Sequence, residues 1–448
     1  MPQADWTAKW AEYQPEKIAF KEAESGKTLT YKELDTQAAG LAAHLLEMGL
    51  SKGNRIAVLA ENCLSYNVLF AAAQKTGMIL VPLNYRLASP EIDYLLQNSD
   101  PCLFIWEDKF DSLAKGAKSF YTIANTWILD DLEAFLGNLT QKPELPPVEI
   151  YEDDPIFILF TSGTTGFPKG ALYTHKMLFW NSINTAMSLI VNSESRTVNC
   201  MPPFHTGGWN VLMTPFWHHG GYTCLTKKFE PDLILKLLAE ERVTIFMGVP
   251  TILKMLAEHP DFDKADFSSL LYIIVGGEPM PIPLIEIWHK KGVFIRQGYG
   301  MTEVGPNLTS LHQQDAIRKI GSIGRANYYV ETKVVRPNGE ICETNEAGEL
   351  LLKGPMVTPG YWNNEEGTAK SFEGDWFKTG DMVKKDAEGM FYVVDRIKNM
   401  FISGGENVYP AEIERVLQGH PAVKQAVVIG MPDAKWGEVG KAIIERNP

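Results

Sequence analysis

The sequence is short of paired cysteines, of cationic excess and of long apolar runs, and each shortage removes a class of protein. Five cysteines (Cys63, Cys102, Cys200, Cys224 and Cys342) are scattered through 448 residues. They are odd in number and none has metal or redox spacing, so a disulfide scaffold is excluded and a reducing, cytoplasmic setting is expected. A net charge of −13 and a pI near 5.3 argue against a nucleic-acid partner. No apolar run approaches the roughly 18 residues of a membrane span. The start, Met-Pro-Gln-Ala-Asp-Trp, opens no signal peptide. No basic amphipathic helix stands out, so contact with a membrane is at most peripheral. Internal repeats and low-complexity tracts are missing too.

What is present is a chain of ordinary globular composition, long enough for two or three domains. Residues 28–120 alternate helix-like and strand-like segments: a helix over Tyr31 to Met48, a buried strand over Arg55 to Ala60, a helix over Leu64 to Lys75, a strand over Met78 to Pro82. The alternation returns between 156 and 305, with apolar strands at Val243 to Met247, Leu270 to Val275 and Val293 to Arg296, and helices at 231–241, 251–258 and 282–291. Such order implies parallel sheets covered by helices. Residues 320–395 change to short β-type runs between Gly, Pro and Asn turns, which suggests a small antiparallel barrel or sheet. A charged junction, Asp395 to Asn399, precedes a smaller piece with a helix at Ala411 to Gln418 and a strand at Gln425 to Ile429. The expected fold is α/β: an N-terminal domain, 1–397, of two doubly wound parallel-sheet subdomains plus a small β-barrel, then a small α+β domain, 398–448.

One run is dense in chemistry. Phe160-Thr-Ser-Gly-Thr-Thr-Gly-Phe-Pro-Lys-Gly170 follows the apolar run Ile156 to Phe160 and holds Thr161, Ser162, Gly163, Thr164, Thr165, Gly166 and Lys169. Glycines let backbone N–H groups turn inward around an anion. Hydroxyls add donors, and the ammonium adds a full charge. The composition is that of a polyphosphate cradle. It is not a Walker A loop, because Gly-Lys-Ser/Thr is missing and the lysine precedes the last glycine.

This run resembles the signature loop of the adenylate-forming superfamily of acyl-CoA synthetases, luciferases and peptide-synthetase adenylation domains. Further segments resemble that family in its own order along nearly the whole chain. Leu29 to Leu34 and Lys75 to Asn84 match its packing motifs. Gln297-Gly-Tyr-Gly-Met-Thr-Glu303 looks like its Tyr-Gly-x-Thr-Glu motif, which comprises Gln297, Gly298, Tyr299, Gly300, Met301, Thr302 and Glu303 here. The resemblance implies carboxylate activation by ATP, giving acyl-AMP and pyrophosphate, and then displacement of AMP by a thiol, usually CoA. It implies adenine against Tyr299, the α-phosphate near Thr302, and Mg²⁺ on Glu303, a hard oxygen ligand. Gly276, Gly277 and Glu278 would border the adenine and the acyl tunnel. Thr379-Gly-Asp381 and Arg396 would hold the ribose. Pro203-Phe-His-Thr-Gly-Gly-Trp209 resembles the acyl-CoA synthetase form of the next motif: His205 would sit near the substrate carboxylate, with Gly207, Gly208, Trp209 and Met301 along the acyl pocket and Trp209 as its gate. Lys398 matches the hinge position. Ser403-Gly-Gly-Glu-Asn407 would line the thiol channel through Gly404, Gly405 and Glu406.

The resemblance also implies roughly fifty residues beyond Ile443-Ile-Glu-Arg-Asn-Pro448, among them a lysine that contacts acyl and phosphate oxygens. No residue here matches that lysine, so these 448 residues alone are expected to bind ATP or acyl-AMP but adenylate weakly or not at all. The expected substrate is a medium or long fatty acid, from overall likeness and from the small residues Gly207, Gly208, Gly276 and Gly277. Alternatives are an aryl or dicarboxylate CoA ligase, such as one acting on o-succinylbenzoate, a domain loading a carrier protein, and a non-catalytic nucleotide-binding remnant. Partners are expected to be the acid, ATP and CoA, in a monomer or homodimer.

Overall fold

The computed structural model describes residues 5–161, 167–278, 280–403, 406–433 and 435–446, with backbone alone at 406 and 407. Its first sheet has six strands, in spatial order Asn125–Ile128, Leu103–Trp106, Arg55–Leu59, Ile79–Pro82, Pro155–Thr161 and Lys169–Thr174. The first five run parallel and the last is antiparallel. Side chains alternate between faces along a strand, and a parallel sheet must cover both. Ile56, Val58, Leu103 and Ile105 accordingly enter one core, while Ala57, Leu59, Phe104 and Trp106 enter another. The covering helix Tyr31–Glu47 starts at a capping box: Thr30 Oγ1 accepts from the Glu33 N–H at 3.2 Å, and the Glu33 carboxylate accepts from the Thr30 N–H at 2.8 Å.

A second sheet carries the parallel strands Ile245–Gly248, Tyr272–Val275 and Ile295–Tyr299, finished by short antiparallel strands Thr309–Ser310 and Arg325–Ala326. Beside it lies a four-stranded sheet absent from the sequence reading, Thr28–Thr30, Ile18–Glu22, Tyr222–Leu225 and Arg196–Asn199. In it Phe20 pairs with Thr223. The Thr244 N–H donates to the Arg196 carbonyl at 2.9 Å and joins the two sheets edge to edge.

Where the sequence suggested a small antiparallel barrel or sheet, the described residues form a five-stranded antiparallel sheet. Glu331–Val335, Ala347–Lys353, Trp376–Lys385 and Phe372–Glu373 follow one another, and Phe391–Arg396 also pairs with Trp376–Lys385. Beyond it, helix Pro410–Gln418 packs on the hairpin Val423–Asp433/Gly437–Arg446. Asp395, 5% exposed, spans the junction. It accepts from the Arg396 N–H at 2.6 Å, from Asn399 Nδ2 at 3.1 Å and from the Ala411 N–H in the first turn of the helix at 2.8 Å. No helix among the described residues is long and apolar enough to cross a membrane.

Candidate active site

The ends of the phosphate-cradle sequence sit on two adjacent antiparallel strands, where Thr161 pairs with Lys169. Ser162, Gly163, Thr164, Thr165 and Gly166 lie outside the described residues. The ends of these two strands meet the end of strand Ile295–Tyr299, which runs on into a short 3-10 turn, Thr302–Val304. There Glu303, 5% exposed, accepts on Oε1 from the Thr161 hydroxyl at 3.2 Å and from the Tyr361 hydroxyl at 3.1 Å. A buried carboxylate needs such donors. Its second oxygen has no hydrogen-bond partner among the described residues. The Lys169 ammonium stands 5.0 Å from the centroid of the Tyr361 ring.

Tyr361 is brought here by the chain itself. The 360–362 segment lies along the outer edge of strand Lys169–Thr174: the Leu172 N–H donates to the Gly360 carbonyl at 3.0 Å, and the Trp362 N–H to the Gly170 carbonyl at 2.7 Å. The Thr358 N–H donates to the Glu303 carbonyl at 2.7 Å. Sequence reasoning missed Tyr361, because nothing local marks a tyrosine 58 residues from the glutamate that it touches.

A second cluster hangs from the same strand end. The Tyr299 hydroxyl donates to Asp381 Oδ2 at 2.5 Å, and Arg396 Nε lies 3.0 Å from Asp381 Oδ1. Asp381 and Arg396 are register partners on adjacent antiparallel strands, which explains why residues 15 apart present their side chains together. Burial pushes the Asp381 carboxyl above the ordinary aspartate value, outweighing the pull of Tyr299, Arg396 and Lys398. Burial and the neighbouring carboxylate push the Tyr299 phenol well up, so it stays a donor. Thr379 is occupied structurally: its hydroxyl donates to the Leu350 carbonyl at 2.7 Å and accepts from the Asp381 N–H at 3.1 Å.

The remaining site candidates divide by what holds them. Gly276 ends strand Tyr272–Val275 beside the next strand, where an added Cβ would meet only the Gly298 carbonyl oxygen, 3.5 Å away. Gly277 turns away at φ +90°, and Glu278 is exposed. At Gly300 a Cβ would lie 2.1 Å from the Pro306 carbonyl oxygen, so this glycine lets the loop fold back on itself. Thr302 and Met301 are half-buried. Gln297 is buried in structural work: its Oε1 accepts from the Met280 N–H at 3.1 Å and its Nε2 donates to the Ser322 carbonyl at 3.3 Å.

His205 is exposed, yet protein mass around it and the Arg86 guanidinium hold its imidazole below the usual histidine range. Gly207 stands beside Met201 and Met247, whose methyl groups an added Cβ would meet at 3.8 Å. Gly208 packs on Pro202, whose carbonyl oxygen would be 2.4 Å from a Cβ. Trp209, the expected gate, is 1% exposed, its indole N–H donates to the Pro203 carbonyl at 2.7 Å, and its ring packs on Tyr66, Phe70 and Phe157. Lys398 is exposed in the turn Ile397–Asn399. Gly404, Gly405 and the Glu406 side chain lie outside the described residues.

Residues 7–362 match the AMP-binding enzyme family, and residues 412–448 match the AMP-binding enzyme C-terminal domain. A feruloyl-CoA synthase of an Amycolatopsis species is 38% identical over 440 residues, 98% of this chain and 87% of the relative. A long-chain-fatty-acid–CoA ligase of Mycobacterium tuberculosis is 37% identical over 435 residues, 96% of this chain and 86% of the relative. The structure of o-succinylbenzoate coenzyme A synthetase from Bacillus subtilis, in complex with ATP and magnesium ion, superposes with a TM-score of 0.88 at 31% identity, over 98% of this chain and 89% of that one. Matched over most of its length in sequence and in structure, the chain belongs to the AMP-binding enzyme family.

Proposed function

We propose that the protein ligates a carboxylic acid to CoA through an acyl-adenylate, with ATP and Mg²⁺, and that the acid is a medium or long fatty acid. The observation that carries the ligase reading is the convergence on one strand end. Tyr299 and Glu303, four residues apart, gather Asp381 and Arg396 on one side and Thr161, Lys169 and Tyr361 on the other. That spacing suits a molecule with a planar base and diol at one end and a polyphosphate at the other.

The residues take their roles from this arrangement. Tyr299 offers a ring face to adenine, while its hydroxyl fixes the Asp381 carboxylate for the ribose diol, with Arg396 beside it. Gly276, Gly277, Gly298 and Gly300 keep side chains away from the nucleotide. Lys169, with the loop 161–166, faces the β- and γ-phosphates, and Thr302 faces the α-phosphate. Glu303 fits a hard cation: it is buried, one oxygen is pinned by two hydroxyls, and the other has no partner among the described residues. Mg²⁺ held there supplies charge neutralisation to the phosphates. His205 stands by the reacting carboxylate, mostly neutral near pH 7 given its lowered pKa. Gly207, Gly208 and Met301 line the acyl side. Residues beyond 398 turn about Lys398 so that Gly404, Gly405 and Glu406 border the thiol.

The likeness to a long-chain-fatty-acid–CoA ligase supports the fatty-acid reading. A second reading, an aryl or dicarboxylate CoA ligase, is favoured by the 38% identity to a feruloyl-CoA synthase. The test incubates the protein with ATP, Mg²⁺, CoA and a panel of fatty acids, hydroxycinnamates, benzoates and o-succinylbenzoate, and reads acyl-AMP and acyl-CoA by mass spectrometry. Fatty acyl-CoA supports the first reading, and aryl or succinylbenzoyl thioester the second. ATP binding with no product across the panel, both in this chain and in a version extended by the roughly fifty further residues that the resemblance implies, sinks both in favour of a non-catalytic nucleotide binder.

A further inference from the structure

Two opposite charges, Lys169 and Glu303, lie against one side chain, and they do not pair with each other among the described residues. Among the described residues Lys169 makes no ion pair, although Glu303 is a buried carboxylate with a spare oxygen. Tyr361 contacts both charged groups, the ammonium and the carboxylate. Its hydroxyl donates to Glu303 Oε1 at 3.1 Å, and its ring carries the Lys169 ammonium 5.0 Å from its centroid. A direct lysine–glutamate contact would occupy the carboxylate and neutralise the ammonium. Held over a ring face, the ammonium has no counter-ion among the described residues and is only loosely bound.

Tyr361 is itself firmly placed. Its N–H donates to Thr368 Oγ1 at 2.9 Å, and the residues on either side are hydrogen-bonded to strand Lys169–Thr174. Gly360 has φ +146°, and an added Cβ would lie 2.5 Å from Thr368 Cγ2, so the backbone entering Tyr361 is built for one path.

We infer that Tyr361 is a positioning residue that keeps the phosphate-facing cation and the metal-facing carboxylate from neutralising each other: its hydroxyl fixes Glu303 and its ring holds Lys169. The inference rests on the ATP–Mg²⁺ reading of the site. It assigns the two duties to different parts of one side chain, so they are separable. Tyr361→Phe keeps the ring and removes the hydroxyl. Tyr361→Leu removes both.

The experiment is calorimetric titration of ATP into each protein, once with EDTA and once across a Mg²⁺ series, with a thermal melt of each variant to establish folding. For Tyr361→Phe the expected result is a Mg²⁺ half-saturation about tenfold higher, the scale of losing an outer partner of a metal ligand, with metal-free ATP affinity within twofold of the parent. For Tyr361→Leu, metal-free ATP affinity also falls severalfold, as Lys169 closes on Glu303. Adding Glu303→Gln to Tyr361→Leu restores that metal-free affinity, because the lysine has lost its new partner. A merely structural tyrosine would lower both affinities together in both variants and gain nothing from Glu303→Gln; that result overturns the inference. A parent protein that binds ATP, with a Tyr361→Phe variant of unchanged Mg²⁺ dependence, overturns the inference alone. A parent protein that binds no ATP overturns the nucleotide reading together with it.

Discussion

Replacing Asp381 by asparagine tests the nucleotide reading at its ribose end. An ionised carboxylate has two oxygens and about four acceptor positions. The Tyr299 hydroxyl uses one on Oδ2 and Arg396 Nε one on Oδ1. Two positions therefore remain, one per oxygen, which matches a vicinal diol. Asparagine has one acceptor oxygen, so its amide must point NH₂ at either Tyr299 or Arg396, both donors, and only one diol hydroxyl retains an acceptor. A hydrogen bond to a charged group contributes about 1 to 1.5 kcal/mol more than a neutral one. Two ribose bonds then give a loss of about 2 to 3 kcal/mol, or roughly 30- to 150-fold weaker AMP binding. Pyrophosphate has no ribose, and its affinity should stay within twofold. Calorimetric titration of AMP and pyrophosphate into parent and variant, with melts run alongside, reads both. Arg396 is half-exposed and water can solvate it when unpaired, so the melting temperature should change little. Equal weakening of both ligands would make Asp381 a structural residue, and AMP weakening of less than threefold would refute the lone-pair count.

Three other changes are diagnostic. Lys169→Ala should slow acyl-adenylate formation about 10²- to 10³-fold, the scale of losing one preorganised electrostatic donor; a rapid-quench assay showing an unchanged rate would remove the phosphate cradle from the chemistry. Trp209→Ala should destabilise the fold by about 3 to 5 kcal/mol as a core cavity, read by denaturant unfolding, whereas a gate would leave stability alone and shift acyl-chain preference. Burial lowers the imidazoles of His175 and His218 to about 4 and about 3. Folded-state values below the unfolded one mean that the unfolded chain takes up protons the native one refuses, so stability is full above about pH 6.5 and is lost as pH falls toward those values. At pH 5 each contributes a loss of about 2 kcal/mol. Asn at both positions should flatten that part of the stability profile, and an unaltered profile would place the acid sensitivity elsewhere.

What could be read before folding was whatever is encoded locally. The pattern from Tyr31 onward marks helix Tyr31–Glu47, and the apolar runs around Arg55–Leu59 and Tyr272–Val275 mark buried strands because both faces of a parallel sheet need covering. The Tyr299 and Glu303 segment and Asp381 could be named from their motifs, and the fold brings them to one strand end. The sheet joining Ile18–Glu22 to Tyr222–Leu225 could not be seen, since its pairing is set by contacts some 200 residues apart and its strands are short. Tyr361 was missed for the same reason. Motif membership alone could not show that the Trp209 indole packs among aromatic rings or that the Gln297 amide ties a loop to a strand, since both depend on distant partners.

The Asp395 carboxylate lies on one side of the turn Ile397–Asn399 and the Ala411 N–H on the other, 2.8 Å apart. It also carries the bonds from Arg396 and Asn399, and it is almost wholly sheltered from water. A helix N-terminus attracts negative charge, and a sheltered anion stripped of a donor is costly. Helix Pro410–Gln418 leaves this bond at a cost, because the sheltered anion then exchanges a peptide donor for water while keeping Arg396 and Asn399. The joint is a latch on one peptide donor, and Asp395→Ala should loosen the residues beyond 400 without disturbing the sheet that carries Asp381.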